Sequence, residues 1–143
     1  MGNIANQRTI GFMEAVRRAF GNYCVFTGRA SRSEYWWFSL LCTVVVLILG
    51  GPSMVKVISN PGADSVTAIF TDGGMSIALS IWTLITVLPS LGLTFRRLHD
   101  SVKSGWWILI NLVPFVGGII LFIFMLLPSQ PMSNKYGPIP NVD

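Results

Sequence analysis

"SIALSIWTLITVLPSLGLTFRRLHDSVKSGWWILINLVPFVGGIILFIFMLL", residues 76–127, decides how this chain folds. Two uncharged apolar runs, 76–95 and 106–127, flank ten residues that hold two arginines, the single histidine, an aspartate and a lysine. Each run has the length, about 20 residues, that a helix needs to cross a bilayer's hydrocarbon core. Working outward, "YWWFSLLCTVVVLILG" (35–50) is a shorter run of the same kind. Gly50-Gly51-Pro52 should break or kink its helix, or let it continue to about Ile58 with Lys56 snorkelling outward. The whole chain agrees: of 143 residues 52% are hydrophobic and 11% charged, where a soluble domain carries about a quarter charged. The expectation is an all-α membrane protein, a bundle of three transmembrane helices over about 35–54, 76–95 and 106–127.

The N-terminal segment, 1–27, is different. "IGFMEAVRRAFGNYCVF" (10–26) contains Glu14, Arg17 and Arg18, and each arginine would cost about 2.5–3.5 kcal/mol at a bilayer centre. Ile10, Met13, Val16 and Phe20 recur at helical spacing, which predicts an amphipathic interfacial helix or a short helix packed on the bundle. No continuous apolar core or small-residue cleavage site marks it as a signal peptide. Residues 28–127 then form the bundle and 128–143 a Pro-rich tail.

Basic residues set the orientation. Five arginines precede the first span, and Arg96, Arg97 and Lys103 lie between the second and third, against Lys56 and Lys135 elsewhere. The positive-inside rule puts the N-terminus and the 95–105 segment in the cytoplasm. Three spans would leave the tail outside; a re-entrant element in the turn-rich 59–75 loop would return it to the cytoplasm.

In this reading residues 96–105 are a tight turn, with Arg96 and Arg97 at the end of one helix dipole and Asp100 at the start of the next. Trp106 and Trp107 fall at headgroup depth. "GRASRSEYWWF" (28–38) repeats the arrangement: Arg29 and Arg32 stand before Trp36 and Trp37, and Ser31 with Glu34 fits a capping box. Because both segments lie on one membrane face, Glu34 should meet Arg96, Arg97 or His99, and Asp100 should meet Arg29 or Arg32. Together they form a clamp.

"GRASRSEYWWF", "FRRLHDSVKSGWW" and the tail's "NKYGPIP" resemble, in order, the three signature segments of a small bacterial inner-membrane family, domain of unknown function 805. The resemblance covers about residues 20–140 and departs at Val102, where a small residue or glycine is expected. It implies a bacterial multi-pass inner-membrane protein and supplies no mechanism.

Catalytic constellations are scarce. One histidine excludes a multi-histidine metal site, and no His-Glu-x-x-His, Cys-x-x-Cys or glycine-rich phosphate loop is present. Cys24 and Cys42 should stay reduced. His99 beside Asp100 does not make a preorganised acid–base pair. Nothing calls for a cofactor or nucleic acid.

Within the spans, Ser76, Ser80, Thr83, Thr86, Ser90 and Thr94 advance 18 residues in five steps, about 3.6 per step, which is one helix face. Trp107, Asn111, Pro114 and Gly118 define a face on the third span. Such faces pack helices closely, and Asn111 should face Ser90 or the Ile85 carbonyl region, to which Pro89 brings no N–H. Without an intramembrane carboxylate or basic residue, packing outweighs an ion path. The functional expectation is a non-catalytic membrane component that binds anionic lipid or a protein partner through its basic, Trp-rich cytoplasmic face. The alternative is a small channel or transporter built by self-association.

Overall fold

The computed structural model describes residues 7–59 and 74–141. The turn-rich loop with its re-entrant alternative, and the side chains of Lys56 and Ser76, lie outside the described residues. The described elements are helices: α1 (Phe12–Gly21), α2 (Arg32–Ser59), α3 (Gly74–Asp100), a 3-10 segment (Gly105–Leu112) and α4 (Val116–Leu126). The chain divides into two units, Met1–Phe38 with Leu88–Asp143, and Ser39–Val87.

The Ser39–Val87 unit holds the rest of α2 and the first part of α3. The α2 helix runs on through Gly50-Gly51-Pro52 to Ser59, the expected alternative of continuation to about Ile58 rather than a break. Leu47, Ile48 and Leu84 point outward, the reverse of a water-facing helix. At Gly50 an added Cβ would lie 3.5 Å from Leu79, a contact distance that leaves room for close helix approach. The expected hydroxyl seam takes another form. Thr83 and Thr86 each donate to a carbonyl one turn back, of Leu79 and Trp82, at 2.8 Å. In the other unit Thr94 does the same to Ser90 at 2.7 Å. These hydroxyls are satisfied inside α3.

In the larger unit, α1 is shorter than the 10–26 segment. It buries Ala15 and Ala19, whose small side chains permit close approach, while Met13 is 77% exposed. Ile10 is buried but precedes the helix. Edge-on ring contacts of Phe12 with Trp37 and Phe20 with Phe38 hold α1 against the start of α2.

The expected tight turn over 96–105 is displaced toward its C-terminal end. The α3 helix continues to Asp100, so this carboxylate stands at a helix C-terminus rather than at the start of the next helix. Val102 N–H donates to His99 C=O and Lys103 N–H to Leu98 C=O, the paired bonds of a Schellman cap. That cap puts Val102 at φ 62°, a left-handed position that favours glycine, which is why a small residue is expected there. Ser104 then caps the 3-10 segment.

The third span expected over 106–127 is not a continuous helix. Pro114 brings no N–H and ends the 3-10 segment. Phe115, at φ 64°, centres a γ-turn in which Val116 N–H donates to Pro114 C=O at 2.8 Å. The chain then reverses, and α4 packs back along the 3-10 segment. An added Cβ at Gly117 would fall on the Ile110 carbonyl, so this approach needs glycine. Asn111 thus sits on the 3-10 arm of this hairpin rather than on a continuous third helix. Its side chain is exposed, with Oδ1 beside Gly118 across the hairpin. The tail, expected on the far side, returns to the N-terminal segment: Arg8 N–H donates to Asn141 C=O at 2.9 Å.

Candidate functional site

The hairpin's return brings four segments together: residues 7–10, 28–34, 96–105 and 127–141. Asp100 lies at their centre, its side chain 0% exposed. Its Oδ1 accepts from Arg29 Nε at 2.9 Å and Nη2 at 2.8 Å. Oδ2 accepts from Arg97 Nη1 and from the Ser129 hydroxyl. Arg29 donates further to three tail carbonyls, Gln130 at 2.9 Å, Met132 at 2.8 Å and Gly137 at 3.4 Å. Arg97 also donates to the carbonyls of Met125 and Leu127 at the end of α4. Those carbonyls lack partners inside the helix, and the guanidinium supplies the cap.

A second pair lies beside this one. Arg96 Nη1 donates to Glu34 Oε1 at 3.2 Å, with both side chains buried. Among the described residues, Nε and Nη2 of Arg96 have no hydrogen-bond partner. Glu34 N–H donates to the Ser31 hydroxyl at 3.3 Å, one half of the expected capping box; the Glu34 side chain goes to Arg96 instead. His99 stacks on Tyr136 with centroids 3.9 Å apart and planes 5° from parallel. Its Nδ1 lies 3.3 Å from the Gly28 carbonyl, an acceptor, so this nitrogen carries the proton in that bond.

The clamp pairs Glu34 with Arg96 and Asp100 with Arg29, across the two segments. It differs from the expectation in its setting. Arg29, Arg96, Arg97, His99 and Asp100 are buried, so the three arginines are committed to ion pairs and carbonyls rather than to headgroups. Arg32 stays exposed. Trp36 meets Phe122 edge-on at 5.8 Å and Trp107 meets Phe124 at 5.4 Å, while Trp106 is 74% exposed. Of the expected helix-seam residues, Thr86 donates to the Trp82 carbonyl, Ser90 C=O accepts from Thr94, and Asn111 Oδ1 lies beside Gly118. Ser129, Gln130, Asn134, Tyr136 and Asn141 join the network from the tail. The "NKYGPIP" likeness covers Asn134 and Tyr136 alone; Ser129, Gln130 and Asn141 lie outside it.

A cleft of about 330 Å³ opens beside the network, with Arg8, Thr9, Arg32, Ser33 and Ser129 in its wall. Arg8 also reaches Glu14 at 3.5 Å, both side chains being partly exposed. Two guanidinium groups and hydroxyls around an open cleft suit an anionic, phosphate-like group. Among the described residues no cluster of three His, Cys, Asp or Glu could hold a metal ion, and neither Cys24 nor Cys42 is in a disulfide.

The chain is similar to two inner-membrane proteins of Escherichia coli strain K12. It is 33% identical to Inner membrane protein YhaH over 131 residues, covering 92% of this chain and 99% of that protein. It is 34% identical to Inner membrane protein YhaI over 119 residues, covering 83% and 88%. No solved structure matches. With a family match over residues 23–138 that takes in both arginine segments and the tail that joins them, the chain belongs to the family described as Protein of unknown function (DUF805).

Proposed function

We propose that this protein is a non-catalytic component of the bacterial inner membrane that holds anionic lipid headgroups on a basic cytoplasmic face. Two helices supply the anchorage, with apolar stretches Arg32–Gly51 and Ile77–Asp100 of 20 and 24 residues, long enough to cross. Their outward Leu and Ile side chains suit lipid, and both relatives are named as inner membrane proteins. The observation that carries the reading is the placement of charge. Nine of the ten basic residues lie in the unit that contains the N-terminal segment and the tail, with Lys56 in the other unit. The positive-inside rule then supports a cytoplasmic N-terminus more strongly than the sequence count did, because the tail adds Lys135 to that side.

Three arginines of that unit are internal, which leaves Arg8 and Arg32 at the cleft, Arg17 and Lys135 exposed elsewhere, and Arg18 and Lys103 half-buried. The cleft is where a phosphodiester would sit. A basic residue near an anionic leaflet contributes about 1 kcal/mol, so Arg8→Ala with Arg32→Ala should weaken binding about 25-fold. The test uses delipidated protein in detergent, with phosphatidylglycerol and phosphatidylcholine of matched chains titrated and read by native mass spectrometry. Preference for phosphatidylglycerol that the double variant abolishes is the expected result. Equal retention of the two lipids by the unaltered protein refutes the reading.

A further inference from the structure

The apolar run 106–127 folds as a hairpin whose outer surface is hydrocarbon. Phe115 at its tip is 91% exposed and Leu112 is 81% exposed. No charged residue lies between Lys103 and Lys135. An apolar surface of this extent on one element marks a contact with something equally apolar.

Length decides what that is. The 3-10 arm has eight residues and α4 has eleven, so each arm reaches about 16 Å at roughly 2.0 and 1.5 Å per residue. The hydrocarbon core is about 30 Å thick. The hairpin therefore reaches about half-way, the depth of one leaflet. Its position agrees. Trp36 and Phe122, which touch at 5.8 Å, each lie four residues from the base end of their helix, about 6 Å along it. The hairpin thus runs beside the opening turns of α2, at matching depth. Lys103, with its ammonium 5.2 Å from the Phe124 ring, and the exposed Trp106 stand at the base, where an interface would lie.

Two further observations agree with a turn inside lipid. Backbone groups at membrane depth need partners within the protein, and the tip provides several. Val113 N–H donates to Ile110 C=O at 2.9 Å, Gly117 N–H to Val113 C=O at 3.0 Å, and Pro114 has no N–H to satisfy. The chain ends also meet: Arg8 N–H donates to Asn141 C=O and Gln7 Nε2 to Pro140 C=O at 3.0 Å. A single crossing by this run would put the hydrocarbon core between those partners.

We propose that residues 105–126 enter the acyl layer of one leaflet, turn at 113–115 and leave on the side they entered. The partner of this apolar surface is then the acyl chains of that leaflet, and the chain crosses the membrane twice, with its N-terminal segment and tail on one side. This holds whether or not the headgroup cleft binds lipid.

The test is impermeant-maleimide labelling of the full chain in right-side-out and inside-out membrane vesicles, with Cys24→Ser and Cys42→Ser as background. Arg17→Cys, Lys103→Cys and Ser133→Cys should all label from one side only. Phe115→Cys should label from neither side until detergent is added, and Leu112→Cys serves if Phe115→Cys does not accumulate. Ser133→Cys labelling from the side opposite Lys103→Cys would mean that the hairpin crosses and would overturn the proposal. Labelling of Phe115→Cys or Leu112→Cys from either side in intact vesicles would overturn it too, since the tip would then face water. So would efficient dimer formation through the tip cysteine with a bifunctional maleimide, because a second copy would then be the occupant.

Discussion

Asp100→Asn tests the centre of the network most directly. The substitution keeps shape and volume but removes the one negative charge that Arg29 and Arg97 share. All three side chains are 0–1% exposed, so solvent screening does not rescue the pair. Breaking a buried pair by removing one partner costs about 3–5 kcal/mol, because the remaining charge is left uncompensated. Two arginines lose their counter-ion here, which would suggest a larger figure. Both keep carbonyl partners, however: Arg29 has those of Gln130, Met132 and Gly137, and Arg97 those of Met125 and Leu127. The expected loss therefore stays at about 3–5 kcal/mol. Reversible unfolding in mixed micelles with rising SDS, followed by tryptophan fluorescence, measures it. A loss below about 1 kcal/mol, the range of exposed pairs, would refute the burial and pairing of Asp100.

The second pair should respond to a charge swap: Glu34→Arg lowers folded yield, and Arg96→Glu restores part of it, whereas Arg97→Glu does not, since Arg97 serves Asp100 and the end of α4. Size-exclusion yield of the three variants, beside the unaltered protein, reads this. Arg29→Lys should free the tail while keeping the charge, because one ammonium cannot reach a carboxylate and three carbonyls in the planar spread that a guanidinium covers. Faster tryptic cleavage after Lys135 is the readout, and an unchanged rate counts against it. Val102→Gly should stabilise the protein by about 1 kcal/mol in the same SDS titration, since the Schellman position at φ 62° strains a branched side chain. Asn111→Leu should change stability by less than about 0.5 kcal/mol, as expected of an exposed side chain away from the network; a loss of 2 kcal/mol would return Asn111 to a helix seam.

The legible parts were those in which one residue's chemistry determines its partner. Hydropathy located α2 and α3, and the two basic segments predicted that Glu34 and Asp100 would find arginines on the other segment. The hairpin was not legible from hydropathy, because lipid selects the same side chains for an arm that turns back as for one that crosses. The usable signal was Pro114 with Gly117-Gly118 in mid-run: a residue without an N–H followed by one without a side chain where the arms touch. The tail was hidden for another reason. Its contribution to Arg29 is three backbone carbonyls, which every residue possesses.

Hairpin and tail are linked through charge. Arg29 and Arg97 bring two positive charges to one carboxylate, while Arg96 and Glu34 balance each other. A buried excess positive charge must be met by dipoles or move to water. The oxygens that meet it come from two places, the carbonyls of Met125 and Leu127 at the C-terminus of α4 and those of Gln130, Met132 and Gly137 in the tail. A helix C-terminus carries about half a negative charge, so α4 can supply part of the deficit only if its C-terminal end returns to Arg97. A helix that crossed would deliver that end about 30 Å away. The arginine pair before Leu98-His99-Asp100 therefore requires a chain that comes back, and the break at Pro114 and Phe115 is what lets it return.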